Sequence, residues 1–307
     1  MRILVTGGTG MVGSSFNIID HDHDIILVGS KDYDLRDLDQ TMSMITNYSP
    51  HGIIHLAAKV GGVSGNLNNM SDFFYTNMKI NMNVLNASKD LGIKRVVSLL
   101  STCVYPDDVT YPLTEDQIHN GEPHHTNFGY AYAKRMLDVQ SRAIRKQFDL
   151  NYITAVPNNL FGEHDNFDLE NGHVIPSLIR KIHEAKITSS PPVFWGDGTS
   201  LREFTYSSDI ARALIFLLEH YNKPMPVNIG NMQETSISSL ASTLSHMLDY
   251  KGKIKWDKSK PSGQFKKSSS NKKFMQLCPG FVYNDLNNSL KKTCSWFLEN
   301  YPNVRGV

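Results

Sequence analysis

Two polar segments in the middle of the chain combine residue types that could reduce a ketone. Ser101 and Cys103 stand two residues apart, and Tyr130 precedes Lys134 by four residues. Residues four apart share one face of a helix, so the lysine charge can lower the pKa of the phenol from its free value of about 10. With the serine hydroxyl nearby, these groups could hold a carbonyl oxygen and pass it a proton. Cys103 adds a second ionisable group, which indicates chemistry beyond hydride transfer.

The start of the chain offers a site for a hydride donor. Residues 1–6 are short, apolar and rich in β-branched side chains, which predicts a buried parallel strand, and they run into a glycine-rich turn that opens a helix. Such a turn lets the backbone approach a pyrophosphate closely and presents free N–H groups to it. The residues predicted to form this dinucleotide site are Gly7, Gly8, Thr9, Gly10, Met11, Val12 and Gly13.

The end of the second predicted strand, residues 25–28, indicates which dinucleotide is preferred. No acidic residue stands at its tip, where an acid would hold a ribose 2′-hydroxyl. Lys31, together with Arg36, could instead pair with a 2′-phosphate, which predicts NADP(H). Asp32 or Asp34 could still be the ribose acid, and that alternative stays open.

Composition narrows the class of protein. The chain has 307 residues, with 31 Lys and Arg against 30 Asp and Glu, so no global field favours nucleic acid or a membrane surface. Its three cysteines, Cys103, Cys278 and Cys294, are odd in number and widely spaced, which favours a reducing compartment. Arg2 at the start of the first strand leaves no room for a signal peptide, and the aliphatic run 213–218 is too short to span a bilayer. We expect a cytoplasmic protein that acts on a small molecule without a metal.

Strand and helix signals alternate through the first half of the chain. Strands are predicted at 25–28, 52–56 and 95–100, and long helices at 72–89 and 133–148. This alternation predicts an α/β fold with a Rossmann-like, doubly wound parallel sheet. Loops rich in Asn, Asp, Pro and Gly then predict a smaller C-terminal α/β lobe that binds the substrate. We expect a nucleotide-binding domain at 1–160 and a substrate lobe at 161–307, with some segments of the second returning to the first.

The motifs in this order resemble the extended short-chain dehydrogenases, and within them the GDP-L-fucose synthase family. The glycine turn, Ser101, Tyr130 and Lys134 mark the broad class. The narrower family is marked by short segments along nearly the whole chain: 57–62 (AAKVGG), 101–106 (STCVYP), 119–121 (HNG), 128–136 (FGYAYAKRM), 164–167 (HDNF), 172–176 (GHVIP), 195–198 (WGDG), 202–204 (REF), 260–263 (KPSG) and 266–267 (KK).

This resemblance implies a bifunctional enzyme. Members of the family epimerise GDP-4-dehydro-6-deoxy-D-mannose at C3 and C5 and then reduce the C4 ketone with NADPH. It implies that Cys103 is a base, usable where a nearby positive charge lowers its pKa, and that His173 is the opposing acid. Related dehydratases carry an acid pair where Cys103 and Val104 stand, and the 4-epimerases need neither Cys103 nor His173. The resemblance also implies a homodimer through the two long helices.

Further binding residues follow from the same resemblance. Those implied around the cofactor are Ala57, Lys59, Lys134, Pro157, Asn159, Leu160 and His173. Those implied around the GDP-sugar are Lys181, Trp195, Arg202 and Ser262, with the loop near Lys260 closing over the guanosine. Two positions depart from the family pattern: Ser262 replaces an acid, and Glu163 replaces a proline, which is expected to loosen its loop.

Alternative interpretations remain at the residue level. Cys103 could be a small buried hydrophobe, His173 could cap a helix that begins near Pro176, and Trp195 could be a core residue. The Ser- and Lys-rich stretch 264–273 is typical of a solvated tail or, less often, an anion site. Tyr132 has no lysine four residues on and is predicted to pack, and residues 21–24 and 124–125 are predicted to be solvated turns rather than metal sites.

Alternatives also remain for the whole protein. One is a related epimerase or reductase acting on another 4-keto sugar nucleotide. The other is a non-catalytic NADP-binding regulator on the same fold. A regulator would need none of Ser101, Cys103, Tyr130, Lys134 and His173, so their joint presence argues against it.

Overall fold

The computed structural model describes residues 1–259 and 266–307. In these ranges the strands are β1 Arg2–Thr6, β2 Asp24–Val28, β3 Gly52–His55, β4 Arg95–Leu99, β5 Asn151–Val156, β6 Asn159–Phe161, β7 Val193–Trp195, β8 Leu201–Tyr206, β9 Val227–Asn228, β10 Glu234–Ser236 and β11 Lys255–Asp257. The helices are α1 Met11–Ser14, α2 Leu38–Tyr48, α3 Val63–Asn68, α4 Met70–Asp90, α5 Phe128–Phe148, α6 Val174–Thr188, α7 Ser207–His220, α8 Ile237–Met247, α9 Lys272–Leu277 and α10 Leu286–Asn300.

A parallel sheet with the strand order β2-β1-β3-β4-β5-β9 organises the first half of the chain. Successive residues of β1 face opposite sides, so that Ile3 and Val5 enter one core and Leu4 the other. The first core is covered by α1, α7 and α9, and the second by α2, α4 and α5. The prediction of a Rossmann-like, doubly wound parallel sheet is confirmed.

A separate core lies in the second half of the chain. Phe161, Phe194, Leu244 and Phe297 belong to it, and α6, α8 and α10 pack around two small sheets, β10-β8-β6 and β11-β7. However, α7 and β9, which also follow residue 160, pack against or extend the six-stranded sheet. The division of the chain at residue 160 stays a prediction.

The start of α5 differs from the prediction. The helix begins at Phe128 rather than near residue 133, so Tyr130 lies in its first turn. Here Gly129 packs directly on α4, since a Cβ at this position would stand 2.3 Å from the backbone oxygen of Met70. Close contact between two helices therefore supports this turn, and hydrophobic periodicity does not reveal such a contact. Within the described ranges, no helix combines the length and apolarity needed to cross a bilayer.

Candidate active site

Ser101 and Cys103 lie just beyond the carboxyl end of β4, where parallel sheets bind ligands. The Oγ of Ser101 accepts a hydrogen bond from the backbone N–H of Cys103 at 3.3 Å. This bond caps a single 3₁₀ turn, Thr102–Val104, and fixes the thiol relative to the hydroxyl. The two side chains are therefore positioned by one short turn at the edge of the sheet.

Tyr130 and Lys134 reach the same edge from α5. The buried ammonium of Lys134 donates a hydrogen bond to the backbone oxygen of Leu99 at 2.7 Å, and it lies 5.9 Å from the centre of the Tyr130 ring. On its other side the Tyr130 ring meets the edge of Phe73 in α4, with ring centroids 6.4 Å apart. Helices α4 and α5 thus hold the phenol between them.

The pKa values of this pair correct the expectation drawn from the sequence. Burial lowers the pKa of Lys134 to about 8. Burial also raises the pKa of Tyr130 well above 10, and the nearby Cys103 adds to that effect. The prediction that the lysine lowers the phenol pKa is wrong here, because loss of hydration is the largest effect on Tyr130 and it raises the pKa. Tyr130 is therefore a neutral phenol, which suits a proton donor.

Cys103 is buried, and its environment combines opposing effects. Burial raises the pKa of the thiol, while the charge of Lys267, the Ser101 hydrogen bond and the charge of Lys134 oppose the rise. The thiol opens into a narrow crevice that is also lined by Tyr111, His124 and Lys267. The crevice is also lined by the apolar side chains of Pro106, Val109 and Leu113, so the thiol lies between an apolar wall and a small set of polar groups.

Sequence reasoning missed Lys267 and His124 as neighbours of Cys103. The pair 266–267 marked the family only, and His124 was predicted to lie in a solvated turn. Residues 266–271 are also not a solvated tail, because Leu113 exchanges two 2.9 Å backbone hydrogen bonds with Ser268 and Ser270. No local pattern signals these contacts, which join segments far apart in the chain.

His173 occupies the N-cap position of α6, which begins at Val174 and not near Pro176. Its imidazole makes no capping hydrogen bond, so the capping alternative is wrong. The preceding loop is tied to the loop after β3, where Gly62 N–H donates to the Asn171 oxygen at 3.0 Å. The imidazole is solvent-accessible at its surface but has protein around it. Its pKa is lowered, mainly by loss of hydration and to a smaller extent by the charge of Arg305.

The glycine turn between β1 and α1 has the close packing that a dinucleotide site needs. Gly7 has a φ of +71°, and a Cβ on Gly13 would lie 2.5 Å from the Gly7 oxygen. A Cβ on Gly8 would lie 2.6 Å from the Val28 nitrogen. Gly10 differs from these glycines. Leaving out its chain neighbours, a Cβ at Gly10 would have one described atom within 4 Å, the Gly7 oxygen at 3.2 Å, so this position faces open space. These residues fit the pyrophosphate of a dinucleotide.

The turn after β2 contains the basic and the acidic residues that were considered as partners of the ribose 2′-phosphate or 2′-hydroxyl. Asp32 accepts a 2.8 Å hydrogen bond from the Gly29 N–H, so its carboxylate turns back onto its own strand. Arg36 is engaged by Asp34, with its nearest contact at 2.6 Å, and this pairing lowers the pKa of Asp34 to about 2. Lys31 is exposed and forms no ion pair within the described part of the chain. The turn therefore offers Lys31 rather than Arg36 to a 2′-phosphate.

The other positions implied for the cofactor follow β3 and β5 at the same edge of the sheet. Ala57 N–H donates to Thr6 Oγ1 at 3.3 Å, and Lys59 N–H donates to Asn77 Oδ1 at 2.9 Å. Pro157, Asn159 and Leu160 lie at the passage from β5 to β6. The Asn159 side-chain amide donates to the Glu203 backbone oxygen at 2.9 Å, which fixes this passage against β8.

The residues implied for the substrate lie in the second half of the chain. Lys181 of α6 donates to the Val193 oxygen at 3.1 Å, which brings it beside β7, the strand that ends at the half-exposed Trp195. The exposure of Trp195 excludes a core role. Arg202 of β8 interacts electrostatically with Tyr111 and Lys267, which line the Cys103 crevice. Ser262 and the loop near Lys260 lie outside the described residues.

Several side chains singled out in the sequence have structural partners. The Tyr132 ring packs on Phe128 with centroids 4.9 Å apart, as predicted. In the turn before β2, His21 contacts the Phe16 oxygen at 3.1 Å and His23 lies 3.2 Å from Glu219. Glu163 accepts hydrogen bonds from the Tyr206 hydroxyl, both at 2.7 Å, so this residue anchors its loop to β8 instead of loosening it.

A parallel sheet with a glycine turn and a Ser, Tyr and Lys set defines a nucleotide-dependent dehydrogenase or epimerase. In agreement, a family model described as the NAD dependent epimerase/dehydratase family matches residues 3–230. The chain is 39% identical to a GDP-L-fucose synthase of Dictyostelium discoideum, over 99% of this chain and 97% of the relative. It is 38% identical to a GDP-L-colitose synthase of Yersinia pseudotuberculosis, over 99% and 100% of the two chains.

A solved structure gives the same result. The crystal structure of a GDP-L-fucose synthetase from Naegleria fowleri bound to NADP matches with a TM-score of 0.92 and 40% identity, over 99% of this chain and 96% of that chain. The chain therefore belongs to the NAD-dependent epimerase/dehydratase family and, within it, to the GDP-L-fucose synthases.

Proposed function

We propose that the protein converts GDP-4-dehydro-6-deoxy-D-mannose to GDP-L-fucose, by epimerisation at C3 and C5 followed by NADPH-dependent reduction at C4. The observation that carries the proposal is full-length similarity to GDP-L-fucose synthases in a chain that places a buried cysteine beside the serine of a reductase site. A simple reductase has no use for a base at this position. NADPH, when bound at this site, would supply the hydride for C4.

Ser101 and Tyr130 act on the substrate ketone in every step. The hydrogens at C3 and C5 are acidic because both carbons flank the C4 carbonyl, and removal of either leaves an enolate at O4. Donors aimed at that oxygen stabilise the charge most strongly where water is excluded. In the last step the neutral phenol of Tyr130 gives its proton to O4, and Lys134 supports it through its charge.

Inversion at each carbon needs a base on one face of the sugar ring and an acid on the other. Cys103 removes the proton and His173 returns one. The two side chains come from different elements, the turn after β4 and the start of α6.

Residues at the carboxyl edge of the parallel sheet hold the cofactor, and residues from the second half of the chain hold the GDP-sugar. For the cofactor we assign the glycine turn 7–13 to the pyrophosphate, Lys31 to the 2′-phosphate and Lys134 to the nicotinamide ribose. Further cofactor contacts are assigned to Ala57, Lys59, Pro157, Asn159, Leu160 and His173. For the GDP-sugar we assign Lys181 and Arg202 to the diphosphate, since an arginine offers a forked donor to phosphate oxygens, and Trp195 to a flat apolar wall.

A second substrate is favoured by one comparison. The GDP-L-colitose synthase matches this chain at 38% identity over 99% of its length. A related GDP-4-keto sugar is therefore the alternative substrate for the same site. The test is a direct assay of the purified protein with NADPH and GDP-4-dehydro-6-deoxy-D-mannose, with the product identified by NMR. Absence of GDP-L-fucose, with NADPH still bound, would contradict the proposal and direct the assay to the alternative.

The assembly and location also belong to this proposal. Helices α4 and α5 expose apolar side chains, among them Phe74, Tyr75, Met82 and Val139, which supports a homodimer through these helices. Light scattering that gives the mass of one chain, 34.6 kDa, would contradict it.

All three cysteines are unpaired, which supports a reducing, cytoplasmic location. We assign residues 1–160 to the nucleotide domain and most of 161–307 to the substrate lobe.

A further inference from the structure

Lys267 reaches the catalytic thiol from a segment remote in sequence. Cys103 and Lys267 line the same narrow crevice together with Tyr111 and His124. Among the surrounding charged groups, Lys267 has the largest effect on the pKa of Cys103, and Cys103 has the largest effect on the pKa of Lys267. A cation and an ionisable thiol therefore border the same narrow crevice.

The segment that carries Lys267 is fixed on both sides of this residue. We name residues 266–271 the strap. Before Lys267, the Tyr111 hydroxyl donates to the Lys266 backbone oxygen at 2.9 Å. After it, the buried carboxylate of Glu203 accepts hydrogen bonds from Ser269, at 2.7 Å from Oγ and at 3.0 Å from the backbone nitrogen. These anchors fix the backbone on both sides of Lys267, so that its side chain starts from a defined position beside the crevice.

The neighbouring lysine has a different environment. Lys266 pairs with Glu234, with 3.1 Å between Nζ and Oε2. Adjacent lysines on the strap thus serve different partners: one forms an ordinary ion pair and the other enters the crevice. Lys266 provides a matched control for the removal of one positive charge.

We propose that Lys267 is a positioning residue whose ammonium stabilises the thiolate of Cys103 as it forms, and so prepares the thiol to remove protons at C3 and C5. This inference rests on the proposed function, in which Cys103 is the base, and names the group that activates it. A thiolate next to a fixed ammonium is the form that can accept a proton.

Titratable and charged groups of the neighbouring elements also act on Cys103 and Lys267. From α5, Tyr130, Lys134 and Arg135 interact electrostatically with Cys103. The crevice also holds His124. From β8 the charge of Arg202 lowers the pKa of Lys267, whereas Asp107 raises it. Lys134 also favours the thiolate, but Lys267 exerts the larger effect on the pKa of Cys103.

The same neighbours define the rival role for Lys267. Because Arg202 and Lys267 are both cationic and act on each other, the two together could instead hold a phosphate of the substrate. A phosphate ligand would leave the ionisation of Cys103 in the free enzyme unchanged when Lys267 is removed. An activating lysine would not.

The experiment measures thiolate formation directly in the full-length protein without substrate. Thiolate absorbance near 240 nm is titrated from pH 6 to 11, and the Cys103 signal is the difference between each protein and the same protein carrying Cys103→Ser. We expect Lys267→Met to raise the midpoint by about one pH unit or more, as loss of an adjacent opposite charge does. Lys266→Met should leave the midpoint unchanged, and Lys267→Arg should largely restore it.

Separate measurements of folding and of substrate binding distinguish the possible outcomes of this titration. Circular dichroism must show that each variant is folded, and Lys267→Arg covers the case in which Lys267→Met unfolds. An unchanged midpoint in folded Lys267→Met would overturn the proposal, and a raised KM for the GDP-sugar would then assign Lys267 to the diphosphate. The titration needs no turnover, so failure of the proposed activity in the sugar assay is a separate result.

Discussion

The ammonium of Lys134 donates a 2.7 Å hydrogen bond to the backbone oxygen of Leu99, the last residue of β4. This bond joins α5, which carries Tyr130, to the strand that leads into Ser101. The lysine therefore links the elements that carry the phenol and the hydroxyl, as well as supplying charge. Holding these donors in place before substrate binds is what makes them effective on a developing oxyanion.

The first prediction concerns stability and pH. Burial lowers the pKa of Lys134 to about 8 in the folded protein, whereas an unfolded lysine titrates near its ordinary value. Between pH 8 and about 10.5 the unfolded state binds more protons at this site, so the contribution of Lys134 to the free energy of unfolding rises with pH, by at most about 3 kcal/mol. Urea unfolding of wild type and Lys134→Met at several pH values measures it. A constant difference between the two proteins would contradict the low pKa.

The second prediction is that Tyr130→Phe abolishes ketone reduction. The ring stays between Phe73 and Lys134, but the phenolic proton that goes to O4 is lost. Loss of a general acid costs roughly 10²–10⁴-fold in turnover. Single-turnover oxidation of NADPH measures the rate, and fluorescence titration should show nearly unchanged NADPH affinity. Tyr132→Phe, two residues along the same helix, is the control and should keep its activity.

The third prediction separates an epimerase from a reductase. Cys103→Ser keeps the shape of the side chain but replaces the thiol with a hydroxyl that does not ionise near neutral pH. We expect the variant to bind NADPH and to stop proton removal at C3 and C5. In heavy water, NMR should show deuterium at both carbons with wild type and at neither with the variant. Full incorporation by the variant would leave His173, or a water molecule, as the base.

The fourth prediction tests the choice of cofactor. Lys31→Ala should lower the ratio of kcat/KM for NADPH over NADH, because the exposed ammonium beside the end of β2 no longer pairs with the 2′-phosphate. Arg36→Ala is the comparison, since Asp34 already binds that guanidinium. A ratio that changes with Arg36→Ala and not with Lys31→Ala would reverse the assignment.

The fifth prediction distinguishes glycines needed for folding from one needed for the ligand. Gly13→Ala would drive a Cβ against the Gly7 oxygen and the Gly8 Cα, each at 2.5 Å, and should lower stability by about 1–3 kcal/mol or more. Gly10→Ala should fold with little loss and yet bind NADPH weakly, because its methyl group points into the space left for the pyrophosphate. Thermal unfolding with and without NADPH measures both effects. Equal destabilisation of the two variants would contradict this distinction.

The sequence by itself determined the features that depend on near neighbours in the chain. Alternation along β1 and the spacing of Tyr130 and Lys134 follow from the periods of strand and helix, and the carboxyl-edge position of Ser101 follows from strand order. The second strand was predicted at 25–28 and is observed at Asp24–Val28. These are local regularities, and they are visible in the residue pattern because they do not depend on tertiary contacts.

Only the tertiary structure decided which remote groups meet at the site. It brought Lys267 and His124 to Cys103, tied Asn171 to the loop before α3, and returned α7 to the first sheet. It also reversed the expected pKa shift of Tyr130, because burial depends on what packs around the ring and not on the residue four positions along. Proximity across the fold and loss of hydration are properties of the packed chain, so no local spacing encodes them.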